Sequence, residues 1–407
     1  MQILESPAKG RQVSLAALPP LSLYVHIPWC VRKCPYCDFN SHEIRSSAPA
    51  ARDLDAAPEQ RYVRALIEDL DRALPQVWGR TVYTIFFGGG TPSLLSATAL
   101  DELVSAIRAR LHLAPDAEIT LEANPGTFEA RKFAAFRALG VNRLSIGIQS
   151  FNEAHLRALG RIHDAAQARA AIGIARENFD NFNLDLMYAL PGQTLTQALE
   201  DIDTAIGFAP AHVSAYHLTI EPNTLFHRQP PALPDDDLSA DMQQAIEARL
   251  ADAGYRHYET SAFARPRLES RHNLNYWTFG DYLGIGAGAH GKLSFANRIL
   301  RQLRYKQPRE YMDNAEAGQA MQQETVVGID DLPFEFMMNA LRLIDGFELA
   351  LFESRTGLSP NALLKRLERA ESLGLIERDH VRVRPTLKGQ RFLNDLLQIF
   401  LPASAGD

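Results

Sequence analysis

The strongest constraint on the fold of this chain is an alternation of short apolar segments with longer segments of helical spacing. Six short segments are rich in β-branched and aromatic residues and predict β-strands over 21–27, 81–87, 118–123, 143–149, 183–190 and 213–218. Between the first two, Tyr62, Leu66, Leu70 and Leu74 have helical spacing. Such alternation is typical of parallel sheets covered by helices. We therefore predict an α/β fold, either an open doubly wound sheet or a partial or complete β/α barrel.

The length of 407 residues exceeds one ordinary domain and fits a barrel with an appendage. Residues 1–20 show no period and end in two prolines, which predicts a loose N-terminal tail. We expect the barrel and its closing elements over 21–291, a linker over 292–330 and a small C-terminal helical domain over 331–407. That last domain is predicted to be winged-helix-like, because two helical patterns enclose a hairpin-like stretch.

The composition is that of an ordinary globular protein, with 22% charged residues and a net charge of −7. This acidic balance argues against nucleic acid as a partner, and the basic residues of the C-terminal domain are interleaved with acidic ones. No apolar run approaches the roughly 20 residues that cross a bilayer, and the N-terminus lacks a signal-peptide pattern. We expect a cytoplasmic protein that touches a membrane only transiently, through a partner, if at all.

The three cysteines, Cys30, Cys34 and Cys37, lie within one span of eight residues. So few cysteines exclude a disulfide framework and fit a reducing compartment. Three thiolates in one loop are soft ligands for an iron–sulfur cluster or, with His26 or His42 as a fourth ligand, for zinc; three unligated thiols are a further alternative. The chain has no second cysteine pair, so the spacing favours a cubane cluster whose fourth iron stays open to an exchangeable ligand.

Polar and glycine-rich residues follow the predicted strands, at the edge where parallel sheets bind their ligands. The Gly-Gly-Thr run at 89–91 ends the second strand and lets the backbone approach a ligand, although a tight turn explains it equally well. Glu122, Gln149 and Asp185 lie at or near the ends of three further strands. We predict that these residues converge on the cysteine loop.

An aromatic motif, His272, Asn273, Tyr276 and Trp277, precedes a glycine-rich stretch over 280–291. Its side chains offer an axial nitrogen and stacking faces to a large flat ligand, which the small residues would let approach. An aromatic cluster that closes one end of the barrel explains the same residues, and composition alone favours that interpretation.

The cysteine spacing, with Tyr36 before the last cysteine, resembles the signature of the radical S-adenosylmethionine superfamily, and the stretch over 24–30 resembles its HemN/HemW branch. The resemblance implies a partial (β/α)6 TIM-like barrel, a [4Fe-4S] cluster on Cys30, Cys34 and Cys37, and S-adenosylmethionine on the open iron. It implies cofactor contacts from Tyr24, Tyr36, Gly89, Gly90, Thr91, Glu122, Gln149, Arg161 and Asp185. It also implies haem near His272, Asn273, Tyr276 and Trp277.

Two features separate the members of this branch. Its coproporphyrinogen-oxidising members carry a fourth cysteine where this chain has Phe39, and they have a longer arm than the 29 residues before Cys30. The resemblance therefore implies a haem chaperone that transfers haem to an acceptor haemoprotein whose identity the sequence does not reveal. The alternative is a radical oxidoreductase that acts on a tetrapyrrole, since the cofactor positions are intact.

Overall fold

The structure is a computed structural model that describes residues 13–44, 56–126 and 130–402. The strands, numbered in chain order, are β1 (Leu21–Ile27), β2 (Trp29–Cys30), β3 (His42–Glu43), β4 (Thr81–Gly89), β5 (His112–Ala123), β6 (Arg143–Gln149), β7 (Phe182–Tyr188), β8 (His212–His217), β9 (Arg256–Glu259), β10 (Ala262–Ala264), β11 (Asp281–Ile285), β12 (His290–Phe295), β13 (Arg298–Arg304), β14 (Met321–Val326), β15 (Phe347–Glu348), β16 (Ile376–Arg378) and β17 (Arg382–Pro385).

Helices connect most of these strands. Their ranges are Ala56–Val77, Ala97–Arg110, Phe133–Ala138, Glu153–Ala158, Ala165–Asn178, Leu195–Gly207, Leu225–Arg228, Asp236–Asp252, Arg271–Trp277, Pro308–Glu316, Leu332–Ala340, Leu349–Thr356, Leu364–Ser372, Leu387–Arg391 and Leu393–Gln398. Two of the connecting helices begin at capping boxes, in which Asp164 or Thr194 accepts from a backbone N–H of the first turn.

The main sheet confirms the predicted partial barrel. Its strand order is β14-β13-β12-β11-β1-β4-β5-β6-β7-β8-β10-β9, and the run from β11 to β8 is parallel. All six predicted strands are present, and β11 adds a seventh parallel strand beside β1. Within the described ranges the end strands β14 and β9 do not pair with each other, so the sheet stays open.

The segment 292–330, predicted as a linker, is instead part of the main sheet. It contains most of β12 and all of β13 and β14, which extend the sheet beyond β11 as antiparallel strands. The prediction failed because β13 has a polar sequence although Arg304 is 1% exposed. The Arg304 guanidinium forms an ion pair with the buried Asp69 of the first long helix, and no local pattern reveals that pairing.

The C-terminal region has its own apolar core. The three-stranded sheet β15-β17-β16 packs with the last helices around Phe336, Phe352 and Leu367. Val13 and Leu15, the described start of the predicted tail, are buried in this same core, while residues 1–12 lie outside the described ranges. In the described ranges no helix combines the length and the apolar character needed to cross a membrane.

Candidate functional site

A cavity of about 650 Å³ occupies the concave side of the parallel strands. Because side chains alternate along a strand, the residues that face it come from every second position. The wall includes every predicted site residue: Tyr24, Cys30, Cys34, Tyr36, Cys37, Gly89, Gly90, Thr91, Glu122, Gln149, Arg161, Asp185, His272, Asn273, Tyr276 and Trp277. The structure thus brings together all the residues that the sequence analysis singled out, and the role of each remains a prediction.

The cysteine loop follows β1 and is held in place by two neighbouring segments. Cys30 lies in β2, which pairs with β3, and the backbone N–H of Cys37 donates to the carbonyl of Cys34 at 3.1 Å. The Asn40 amide donates to the carbonyls of Ala287 and Lys306, each at 2.9 Å. We call these two hydrogen bonds the Asn40 clasp. They anchor the loop to the segments that follow β11, the strand next to β1, and β13.

The glycine-rich stretch after β11 allows this clasp. Gly288 has a φ of +76°, and a Cβ there would lie 2.3 Å from the Asn40 amide nitrogen. Gly90 behaves similarly at the end of β4, because its Cβ would lie 2.5 Å from the carbonyl oxygen of Trp29. These glycines permit close approach to the cysteine loop, whereas the sequence suggested close approach to a ligand.

Each cysteine sulfur has at least one hydrogen-bonding neighbour. The Thr91 hydroxyl donates to Cys30 Sγ at 3.5 Å, Arg161 donates to Cys34 Sγ at 3.5 Å, and the Ser41 hydroxyl lies 3.6 Å from Cys37 Sγ. Burial raises the pKa of the Cys30 thiol to about 11 and also raises the pKa of Cys37. The metal-free chain therefore holds these two thiols protonated, and loading a metal must release their protons.

Three thiols on one cavity wall fit a cluster bound by three cysteines better than they fit zinc. Both ring nitrogens of His26 are engaged, Nδ1 by the Tyr24 hydroxyl and Nε2 by the Asn40 carbonyl. The His26 imidazole is therefore not available to complete a zinc site, and His42 Nε2 lies 3.3 Å from the Asn40 side-chain oxygen.

Asn124 is a site residue that the sequence analysis missed. Its amide donates to the Thr91 hydroxyl at 2.8 Å, and its carbonyl accepts from Arg161 at 2.6 Å. Thr91, Asn124 and Arg161 thus form a chain of hydrogen bonds between Cys30 and Cys34. The available signal was its position two residues after Glu122, on the same side of the extended chain.

Two partly buried carboxyl groups lie deeper in the cavity. Glu122 accepts from the backbone N–H of Gly89 at 3.0 Å, and Asp185 accepts from Ser145 at 3.0 Å and from Asn183 at 2.8 Å. Burial, followed by the charge of Asp185, raises the pKa of Glu122 to about 8. Burial raises the pKa of Asp185 too. Such carboxyls are suited to bind a cation or hydroxyl groups of a ligand.

We use the term floor for the opposite end of the cavity, toward the start of the strands, formed by Arg143, His212, His272 and Tyr276. His272 Nδ1 lies 2.7 Å from the Thr84 hydroxyl, and its Nε2 lies 2.8 Å from the Tyr276 hydroxyl. Burial lowers the pKa of His272 to about 3. Because both ring nitrogens are engaged, this histidine closes the floor and is not free to ligate haem iron. The position of His272 therefore agrees with the interpretation that composition favoured, an aromatic cluster that closes one end of the barrel.

Comparison with known proteins places this geometry in a class. Residues 24–205 match the radical SAM superfamily, and residues 330–392 match the HemN C-terminal domain. A solved structure described as "Coproporphyrinogen III oxidase (HemN) from Escherichia coli is a Radical SAM enzyme" superposes with a TM-score of 0.79 at 25% identity, covering 94% of this chain and 90% of that one. Fold and site together define a radical SAM protein with a HemN-type C-terminal domain.

More similar sequences narrow the class. "Heme chaperone HemW" of Escherichia coli is 48% identical over 95% of this chain and 100% of its own length. The protein of the same name from Haemophilus influenzae is 46% identical over 94% and 98%, and that from Bacillus subtilis is 34% identical over 93% and 99%. The chain belongs to the HemW family. The branch indicated by the stretch over 24–30 is thereby confirmed.

Proposed function

We propose that this chain is a haem chaperone, which binds haem and transfers it to an acceptor haemoprotein. Its relatives carry that name over nearly the whole length of the chain. The observation that decides between chaperone and oxidase is Phe39, which stands where the oxidases carry a further cysteine. Its side chain is 64% exposed at the wall of the cavity and offers no ligand atom.

Cys30, Cys34 and Cys37 are proposed to hold a [4Fe-4S] cluster, with Thr91, Arg161 and Ser41 hydrogen-bonded to the sulfurs. A cluster with three cysteine ligands supplies one open iron site for S-adenosylmethionine. Donors aimed at sulfur tune the reduction potential of such centres, so we expect the three neighbours to set that potential.

The remaining predicted contacts to S-adenosylmethionine lie at different depths of the cavity and are assigned to different parts of the cofactor. Glu122, next to the Gly89 backbone, is suited to the ammonium end of the cofactor, and Asp185 and Gln149 to its nucleoside end. Gln149 has a φ of +68°, a conformation that a glutamine rarely adopts without a local requirement. Tyr24 and Tyr36 contribute aromatic walls at two heights of the same cavity.

Haem is proposed to lie against the aromatic side chains at and beside the floor. Tyr276 packs edge-on against Tyr282, with ring centroids 4.6 Å apart, and the Arg342 guanidinium lies over the Trp277 ring at 4.3 Å. Of the three histidines on the cavity wall, His212 and His272 have both ring nitrogens engaged, whereas His217 is exposed and its ring makes no hydrogen bond within the described ranges. We further propose a reducing, cytoplasmic location, which would keep the three thiols available.

The test is anaerobic reconstitution with iron and sulfide, followed by two assays on the same preparation. Titration with haem should give a haem absorption band that co-elutes with the protein and passes to an added apo-haemoprotein. Incubation with coproporphyrinogen, S-adenosylmethionine and a reductant should give no protoporphyrinogen. Robust formation of that product would establish the oxidase alternative, and failure to retain haem would reject the chaperone.

A further inference from the structure

Arg143, the first residue of β6, is a buried cation for which the described residues provide no partner. Its side chain is 2% exposed, and it makes no hydrogen bond or ion pair within the described ranges. Its Nε is among the buried nitrogens that have no acceptor. Other buried cations of the chain are compensated, Lys292 by Asp281 and Arg304 by Asp69. An unpaired buried guanidinium is costly, which points to an anion that the bare chain does not contain.

The polar groups around Arg143 are already engaged with one another. The Asn183 amide donates to Ser145 and to Asp185, while its carbonyl meets His212 Nδ1 at 2.7 Å. His212 Nε2 in turn contacts the Tyr258 hydroxyl at 2.8 Å. Little acceptor capacity is therefore left at the floor for a guanidinium with five N–H donors.

A second unpaired group lies beside the first. Thr120 is the register partner of Arg143 on the neighbouring strand β5, and its buried hydroxyl has no hydrogen-bond partner. Strand alternation places Thr120 on the same side of the sheet as Glu122, which faces the cavity. Thr120 is fully buried and does not line the cavity, so the Arg143 guanidinium is the group that faces a ligand, and its geometry matches the two oxygens of a carboxylate.

The carboxyl groups of the chain do not fill this role. Glu122 and Asp185 feel the charge of Arg143, but no ion pair joins either of them to it within the described ranges. Burial dominates both groups and raises their pKa, against the smaller opposing effect of Arg143. Arg143 thus lines the cavity, and no carboxylate of the described residues neutralises its guanidinium by direct contact.

We propose that Arg143 binds a carboxylate of the tetrapyrrole, anchoring one acid side chain of haem at the floor. This inference rests on the proposed function. It is favoured by the surrounding cavity wall, where Phe86, Tyr276 and Trp277 offer faces to a flat ring. The cofactor also has a carboxylate, but its amino-acid end is expected near the cysteines, where Arg161 lies against Cys34.

The first experiment needs no substitution. The reconstituted wild-type protein is titrated with haem and with haem dimethyl ester, in which both carboxylates are methylated. We expect haem to bind about tenfold to a hundredfold more tightly than the ester, the range of a charged hydrogen bond. Equal binding of the two ligands would overturn the assignment while leaving the chaperone proposal intact. If neither ligand binds, the assignment and the proposed function fail together.

Variants then locate the effect. The Arg143→Gln variant should bind haem no more tightly than it binds haem dimethyl ester. The Arg143→Lys variant should retain part of the preference for haem over the ester, because it keeps the positive charge. The matched control is Arg176→Gln, which removes an exposed arginine at the end of the helix Ala165–Asn178 and should keep the full preference. If the Arg143→Gln variant does not fold, the proposal is still tested by Arg143→Lys and by the binding of haem and its dimethyl ester to the wild-type protein.

A parallel titration distinguishes the two sources of carboxylate. S-adenosylmethionine should bind wild type and Arg143→Gln within about twofold of each other. If the variant instead loses affinity for S-adenosylmethionine but not for its decarboxylated analogue, while its haem preference is unchanged, the carboxylate belongs to the cofactor and the tetrapyrrole assignment is wrong. Loss of preference in Arg176→Gln as well would show a general charge effect and would also overturn it.

Discussion

The cysteine end and the floor of the cavity differ in what they leave open. At the cysteine end, three sulfur atoms each have at least one hydrogen-bonding neighbour and keep their capacity to bind a metal. At the floor, both imidazoles have their ring nitrogens engaged, and Arg143 is left without a partner among the described residues. The two ends therefore receive ligands of opposite character: soft metal at one, an anionic group at the other. Residue type alone would have assigned histidine, not arginine, to ligand binding at the floor.

The largest effect should come from the thiols. Replacing Cys30, Cys34 or Cys37 by Ala should abolish the visible absorption of the reconstituted cluster, while the metal-free variants unfold at nearly the wild-type temperature, because the loop is held by other contacts. Ser41→Ala, which removes only the neighbour of Cys37, should keep the cluster. Stoichiometric zinc without iron after anaerobic purification would contradict the assignment.

A carboxyl between the two ends should matter next. Asp185→Ala should weaken binding of S-adenosylmethionine by about 1.5 to 3 kcal/mol, since a charged hydrogen bond is lost. Asp101→Ala, on the exposed side of the helix Ala97–Arg110, is the matched control and should leave the affinity unchanged. Calorimetric titration checks both, and equal affinities in the two variants would reject the placement.

The closed state of the floor predicts a pH dependence of stability. Burial, with the charge of Arg143, holds the folded-state pKa of His272 at about 3, below its unfolded value of about 6.5. This histidine therefore contributes stability that is present above the unfolded pKa and is lost as pH falls toward 3. Between pH 7 and 5 the free energy of unfolding of wild type should drop by about 2 kcal/mol more than that of His272→Gln.

Denaturant melts, each referred to the protein's own value at pH 7, measure that difference. If the free energy of unfolding fell equally with pH in wild type and in His272→Gln, the pKa of His272 would be the same in the folded and unfolded states, and the floor would be open to solvent. The variant should also keep its haem absorption band, since neither ring nitrogen is free. Loss of that band would return the iron ligand to His272.

The smallest expected effect is a difference in stability between two glycine variants, which separates the cost of backbone strain from the cost of steric contact at the cysteine loop. Gly79 and Gly288 have φ values of +74° and +76°, but a Cβ meets nothing within 4 Å at Gly79 and the Asn40 amide at 2.3 Å at Gly288. Gly288→Ala should therefore destabilise the protein by at least about 1 kcal/mol more than Gly79→Ala. Equal losses in thermal melts would mean that Asn40 moves aside at no cost.

Features that depend on interactions between residues close in the sequence could be predicted, whereas features that depend on residues distant in the sequence could not. The parallel strands and the cysteine loop depend on local pattern, and both were predicted. Asn124 escaped notice because its partners, Thr91 and Arg161, are distant in the chain. The extra strands of the sheet were missed for the same reason, since the burial of Arg304 depends on an aspartate 235 positions away.

The character of individual side chains was equally hidden. A histidine in an aromatic motif looks like a ligand until the hydroxyl of Thr84, 188 positions away, is seen on its ring. Arg143 drew no attention, because an arginine at the start of a strand is ordinary until its surroundings show no acceptor. Spacing predicts which residues meet, whereas hydrogen-bond saturation decides which of them remain available.

The Asn40 clasp has a consequence for repair of the protein. In many small metal-binding domains the metal organises the chain, so its loss unfolds the site. Here two backbone carbonyls, those of Ala287 and Lys306, hold the loop before any metal arrives. When oxygen destroys the cluster, the cysteine loop should thus keep its conformation. A single folded molecule should therefore survive repeated removal and reconstitution of the cluster. Amide hydrogen exchange of the loop should be equally slow before and after each cycle.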